Sequence, residues 1–436
     1  MGDGDLEGSV DLWSAHAALA ERIVAHARWN GRAVTWTTPV AVAQADAETG
    51  PAWHLDAASP YLYDGLAGIA RALAYAAPVV RDAGPRHASL ALRMRETAAA
   101  AICDGLTQCE SLGPQAPGGL YDGRMGVACV ATELGRVWGD AALDAAGRAL
   151  AVDVLSTWPQ NVKAHAASGD DAGDRDLTSG AAGIVCGAAW VVAWTGDAAL
   201  ATRLSAFVQE TSGLWRFDDM GPGLAHGLAG VSVALAHLHR LRLEPATAGA
   251  GRTVLDWVRH AERLEDGWFS EAVGSWPDVR PGDMSASHFP AWWCYGASGI
   301  GLARQRVATL TGHPAPGAGI ARAYARRVLQ TDAFGATDGE ASGAWSNWSL
   351  CHGATGALAL LSSGGGQADA AVDRRFVSEA FAAGARRARG DGGRWRGGAG
   401  PDDVEQSGLM TGHAGILLTL TRVLAGESRA FWPLWL

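Results

Sequence analysis

The stretch DGLAGIARAL at residues 64–73 places two glycines three residues apart, with small or apolar residues between them, ahead of an apolar run at helical spacing. The pattern returns as DGRMGVACVA (122–131), SGAAGIVCGA (179–188), HGLAGVSVAL (226–235), YGASGIGLAR (295–304), HGATGALALL (352–361) and TGHAGILLTL (411–420). The leading glycines are Gly65, Gly123, Gly180, Gly227, Gly296, Gly353 and Gly412, separated by 58, 57, 47, 69, 57 and 59 residues. Seven copies at a nearly constant period mark a repeat protein.

Between the copies lie segments such as 89–103, 142–155, 252–264 and 374–388. Their apolar positions fall three and four apart, with Arg, Asp and Glu on the other side, which reads as a helix with one wet face. The segments after the glycine pairs are apolar nearly all round and read as buried helices. A lone unit cannot bury its inner helix, so neighbours must cover it. An open solenoid would stack the same units without closing. Uniformly apolar inner helices and the lack of a polar cap at either end favour closure. The expectation is an all-α fold, an α/α toroid (closed ring) of seven helical hairpins with seven inner and seven outer helices. It forms one domain over residues 15–436 behind a flexible segment at 1–14. The paired glycines read as structural, clearing side chains where inner helices approach and suiting a tight turn.

Bulk properties narrow the function. Of 436 residues 48% are hydrophobic and 18% charged, enough for a large core and too apolar for disorder. Net charge is −10, Lys163 is the sole lysine, and no basic face is visible, which argues against nucleic acid. The first ten residues lack the basic and apolar regions of a signal peptide. Apolar runs break before the roughly 20 residues that a membrane span needs. The chain reads as soluble and cytoplasmic, without direct membrane insertion. Its cysteines (Cys103, Cys109, Cys129, Cys186, Cys294 and Cys351) then read as core residues or metal ligands, not disulfides. No phosphate-binding loop, dinucleotide fingerprint or serine nucleophile elbow is present, so no organic cofactor is expected.

The repeat also points to a site. Residues just before each glycine pair occupy equivalent ends of the inner helices: Asp64, Asp122, Ser179, His226, Tyr295, His352 and Thr411. One step earlier stand Tyr63, Tyr121, Thr178, Ala225, Cys294, Cys351 and Met410. Core packing alone would not select Cys294, Cys351 and His352 there. Two thiolates and an imidazole suit zinc, one ion per chain, and three protein ligands leave a fourth position open as catalytic sites do.

The motifs Trp293-Cys294-Tyr295-Gly296 and Cys351-His352-Gly353, preceded by Ala225-His226-Gly227, resemble the LanC-like lanthionine cyclase family, and the resemblance runs through all seven glycine units. It implies that Cys294, Cys351 and His352 hold zinc and that a substrate cysteine takes the open position. The thiol then adds to dehydroalanine or dehydrobutyrine in a ribosomal precursor peptide, forming a (methyl)lanthionine ring. His226 is the expected acid–base group for the α-carbon proton. Asp176, four residues before Gly180, is expected to orient it, or else to be one of the carboxylates of the loop with Asp170, Asp171 and Asp174. Tyr295 is expected either to hydrogen-bond the developing enolate or to line the cavity.

Many family members carry an arginine four residues before the first zinc cysteine; here that position is Pro290, and His288 is the nearby substitute cation. His413, inside the seventh glycine pair, could face the cavity. Asp64 and Asp122 read as helix caps. The aromatic stretch 266–293 reads as a wall over a peptide substrate or as a hydrophobic plug. Implied partners are the dehydrated precursor peptide and a dehydratase and transporter complex. Two other readings share these residues: addition of glutathione or another small thiol to dehydroamino acids, and a non-catalytic zinc-stabilised peptide-binding scaffold.

Overall fold

The structure is a computed structural model that describes residues 3–41, 53–165, 174–215, 218–243, 253–280, 286–314, 316–331, 347–363, 367–398 and 404–426. Seven helices start directly after the first glycine of each pair: α2 (Leu66–Asp82), α4 (Arg124–Trp138), α6 (Ala181–Thr195), α8 (Leu228–Leu241), α10 (Ala297–Thr311), α12 (Ala354–Ser362) and α14 (His413–Ala425). Seven others alternate with them: α1 (Asp3–Ala25), α3 (Ala88–Leu112), α5 (Ala141–His165), α7 (Ala198–Glu210), α9 (Val254–Asp266), α11 (Ala318–Thr331) and α13 (Gln367–Gly390). The expected all-α fold of seven helical hairpins therefore holds among the described residues.

Burial separates the two sets as the pattern requires. Ala181 through Val192 of α6 are all buried. In α9 only Val254, Val258, Ala261 and Glu265 are, at steps of three and four that keep one stripe dry. The α9 start is fixed by a capping box in which Thr253 and Asp256 satisfy each other's backbone donors.

Contacts gather into two compact units where the sequence suggests one domain: Met1–Gly105 with Leu329–Phe431, and Leu106–Val328. In the first, α2 and α12 pack on α14, and α1 lies against α13 and α14. In the second, α6 packs between α4 and α8, and α10 on α8, with α5 and α9 covering α4 and α8. Helix α1 begins at Asp3, across most of the stretch expected to be flexible.

Two antiparallel hairpins were not expected: β1 (Arg28–Asn30) with β2 (Ala33–Thr35), and β3 (Thr37–Ala41) with β4 (Trp53–Ala57). All of β1 and four of five β4 residues are exposed, so neither shows the two-residue apolar alternation that marks a strand in sequence. Trp36, between β2 and β3, anchors them: it is 1% exposed and its indole N–H donates to Ile23 O at 2.8 Å.

The glycine pairs do more than clear helix faces. A Cβ at Gly68 or Gly183 would strike the backbone of its own preceding loop and a leucine of a neighbouring repeat, Leu409 or Leu120. Gly296 in addition has φ +112°, which L side chains rarely adopt. Folded back this way, the loops bond to one another. Tyr121 N donates to Thr178 O at 2.9 Å, Leu177 N to Ala225 O at 3.1 Å and Leu224 N to Cys294 O at 3.0 Å in one unit. Cys351 N donates to Met410 O at 2.9 Å and Met410 N to Tyr63 O at 2.8 Å in the other. Asp64 serves this lacing and not the helix cap expected of it: Thr411 N and Oγ1 donate to its carboxylate at 3.0 and 2.6 Å, while the α2 cap is Gly65 with no side-chain bond. Asp122 likewise accepts from Ser179 Oγ of the next repeat at 3.3 Å.

Three histidines are buried among the described residues. His16 joins α1 to α14 through Thr421 Oγ1 at 2.8 Å; that hydroxyl donates to Leu417 O, so His16 is the donor from Nε2. Burial holds His16 and His237 down to about 3 and His413 to about 4. The folded chain thus keeps them neutral, whereas the unfolded chain protonates them below about 6.5. Stability present above that pH is lost as pH falls towards 4, at about 1.4 kcal/mol per pH unit for each imidazole. Urea midpoints should fall steadily from pH 7 to pH 5; a flat profile would mean the imidazoles charge inside the fold.

Candidate functional site

In the unit built around α6, α8 and α10, the loops before the glycine pairs assemble a polar group. Asp176 is 2% exposed. Its Oδ1 accepts from Ser179 N at 2.7 Å, Gly180 N at 3.0 Å and Thr178 Oγ1 at 3.2 Å, so its own loop fixes the carboxylate. Its Oδ2 lies 2.6 Å from His226 Nδ1, with Thr178 Oγ1 3.2 Å from the same nitrogen. The loop carboxylate expected to face the histidine is therefore Asp176; Asp170 and Asp171 lie outside the described residues, and Asp174 accepts Ala181 N through its carbonyl.

Burial, the largest influence on His226, opposes its charged form. The hydrogen bond and charge of Asp176, with Cys294 and Asp122 behind, outweigh it and raise the pKa above the ordinary value. The side chain is 39% exposed, and with Nδ1 engaged its exchangeable position is Nε2. Asp122 is pushed up by burial and the nearby Asp176 charge, against the Ser179 bond and His226.

Tyr295 packs its ring 5.6 Å from that of His226. Burial pushes its phenol up to about 12, which keeps the hydroxyl protonated. Over its ring, at 5.0 Å, stands the Arg280 guanidinium. Asp278, its side chain 8% exposed, grips Arg280 from Nη2 at 2.8 Å and Nε at 3.1 Å, while Asp278 N donates to His288 O at 2.7 Å. Sequence reasoning missed this cation. It lies in the longest gap between repeats, out of register with every motif. His288 is 60% exposed on its side chain and stacks edge-on with Trp292 instead, at 5.1 Å. Pro290 accepts Ala297 N at 3.2 Å and so serves the turn into α10. Within 266–293, Trp276 and Trp293 are each 1% exposed and belong to the core, while Trp268, Phe269 and Trp292 are half-buried.

Cys294 closes this group. It is buried, and its carbonyl accepts from both Leu224 N and Ala225 N. In the other unit Cys351 is also buried, with its Sγ 3.7 Å from His352 Nε2 and accepting a bond from the Tyr63 hydroxyl at 3.0 Å. Ser349 Oγ accepts from His352 N at 3.3 Å. His413 is 2% exposed, buried at the first turn of α14, and its Nδ1 has no hydrogen-bond partner among the described residues.

Cys294, Cys351 and His352 form a group that could hold a metal ion. Ligands on a tetrahedral zinc, at about 2.3 Å for sulfur and 2.0–2.1 Å for nitrogen, stand roughly 3.5–3.8 Å apart. The Cys351–His352 separation already has that value, and soft thiolates with an imidazole are a zinc donor set.

No helix among the described residues is long and apolar enough to cross a membrane. No curated protein matches the chain. Among solved structures it is similar to nisin cyclase, with 17% identity over 86% of this chain and 91% of that one and a TM-score of 0.58, a likeness that shows the fold. Residues 56–436 match the family described as lanthionine synthetase C-like protein. With that match spanning most of the sequence, and with cysteine, histidine and glycine motifs in every expected register, the chain belongs to the lanthionine synthetase C-like family.

Proposed function

We propose that this chain is a zinc-dependent lanthionine cyclase that acts in the cytoplasm on a dehydrated ribosomal precursor peptide. The observation that carries the reading is a histidine oriented by a buried aspartate and set beside Tyr295, in a chain whose Cys294, Cys351 and His352 form a zinc donor set. We read the seven hairpins as a closed α/α toroid and one cyclase domain. Packing of the first glycine-headed helix, α2, on the last, α14, supports closure. A dehydratase and transporter complex would supply and remove the peptide.

Zinc held by Cys294, Cys351 and His352 would supply the positive charge that lets a substrate cysteine lose its proton near neutral pH. The sulfur lone pair forms the new bond to the β-carbon of dehydroalanine or dehydrobutyrine. The alkene electrons move onto the adjacent carbonyl, and the enolate then takes a proton at its α-carbon. His226 holds that proton on Nε2: Asp176 fixes the ring through Nδ1 and raises the pKa, so the imidazolium persists to higher pH than a free side chain. Tyr295, kept as a phenol, donates a hydrogen bond towards the enolate oxygen. Arg280, clamped by Asp278 over the Tyr295 ring, adds fixed positive charge on the same side, taking the place of the arginine absent at Pro290.

Ring formation leaves mass unchanged, so free-thiol alkylation of the product followed by mass spectrometry is the assay. Purified protein should carry about one zinc, and Cys351→Ala should lose it; retention of the full complement would contradict the ligand set. His226→Ala should keep its zinc and cyclise about 10²–10⁴-fold more slowly, the span of general acid–base catalysis. Unchanged turnover would remove His226 from the chemistry. Arg280→Met should lower kcat by about 10²–10³-fold, as loss of one oxyanion donor does, with zinc content intact. Undiminished kcat would leave Arg280 only a packing role. Blocked thiols on free glutathione but none on the peptide would shift the reading to small-thiol addition.

A further inference from the structure

The chemistry above leaves Tyr63 unused. It stands just before Asp64 at the first glycine pair, yet its hydroxyl donates to Cys351 Sγ at 3.0 Å across 288 residues of sequence. Peptide groups of the seventh repeat set this register. Met410 N donates to Tyr63 O at 2.8 Å, and Met410 O accepts from Cys351 N at 2.9 Å. One residue thereby ties the loop bearing the hydroxyl to the loop bearing the sulfur. Leu409 N adds a bond to Tyr63 O at 3.1 Å, and the neighbouring Asp64 carboxylate accepts from Thr411 N and Oγ1. The phenol thus reaches the sulfur from a backbone held on both sides. Cys351 is 1% exposed, so little water competes for that bond.

We propose that Tyr63 is a positioning residue for the Cys351 thiolate. Its hydrogen bond orients Sγ beside His352 and draws off part of the sulfur's negative charge, so that the ligand holds its ion without cancelling the ion's charge. The inference rests on Cys351 being a zinc ligand. Outer hydrogen bonds to a ligand tune both its orientation and its basicity, and their loss weakens binding. A thiolate has more charge to give than an imidazole, so this contact matters more on sulfur than it would on His352.

The test compares the full-length chain with Tyr63→Phe, using zinc affinity by chelator competition and the absorption of the cobalt-substituted protein. The variant should bind zinc about 10–100-fold more weakly. Its sulfur-to-cobalt charge-transfer band should move to lower energy, because the sulfur lone pair is no longer stabilised. Incorporating 3-fluorotyrosine at position 63, a stronger donor of the same shape, should move the band to higher energy. It decides the matter alone if Tyr63→Phe does not fold. Unchanged affinity and band in Tyr63→Phe would overturn the proposal. So would weakened affinity with an unmoved band, which would mark Tyr63 as merely structural. A wild-type chain that takes up neither metal would sink the ligand reading first, and this inference with it.

Discussion

The absence of a side chain at two positions per repeat is the constraint on which the architecture depends. Where a Cβ at Gly68 or Gly183 would occupy the space, the chain instead lays its own loop across the helix start and admits a leucine from the adjoining repeat. The loop then runs alongside its neighbour closely enough for peptide groups to pair, as Tyr121 does with Thr178 and Leu224 with Cys294. The side chains of the proposed site sit on these paired loops. Cys294 offers its carbonyl to Leu224 and Ala225, so the backbone that carries the sulfur is also the backbone that holds the His226 loop. Structure and chemistry share one set of hydrogen bonds, and a change that loosens the first displaces the second.

Electrostatics divides the group around His226 into layers. Asp176 is spent on its own loop through one oxygen and on the imidazole through the other. This is why burial does not win at His226 as it does at His16 and His237, which lack a carboxylate of that kind and fall to about 3. Tyr295 is raised too but by burial itself, which holds it as a phenol even with Arg280 over its ring. Both neighbours thus keep their protons, His226 as a cation and Tyr295 as a neutral phenol.

Much of this was legible beforehand. An apolar run following each glycine pair identified all seven buried helices, and the residues just before the pairs picked out His226, Tyr295 and the Cys351-His352 doublet as candidates. Asp176 was legible only through a family spacing, because nothing in its own loop distinguished it from Asp174. The β-hairpins were not legible: strands of three to five residues with their side chains in water carry no alternation to detect. Arg280 was hidden for a different reason. Its place over Tyr295 comes from a long connection whose path no repeat dictates. Tyr63 was noted at its register position, but contact with a sulfur 288 residues away depends on the first and last repeats adjoining, which no local pattern encodes.

That adjacency has a consequence for biogenesis. Helix α2 leans on α14, and the Tyr63 carbonyl is satisfied by Leu409 and Met410. As the polypeptide emerges from the ribosome, the earliest of the buried helices therefore waits for the latest, with its apolar face uncovered through most of translation. Repeats in the middle of the chain can find a preceding neighbour as they appear, but the first cannot meet the seventh until that one is made. A nascent chain arrested before its seventh glycine pair would leave the first without this partner.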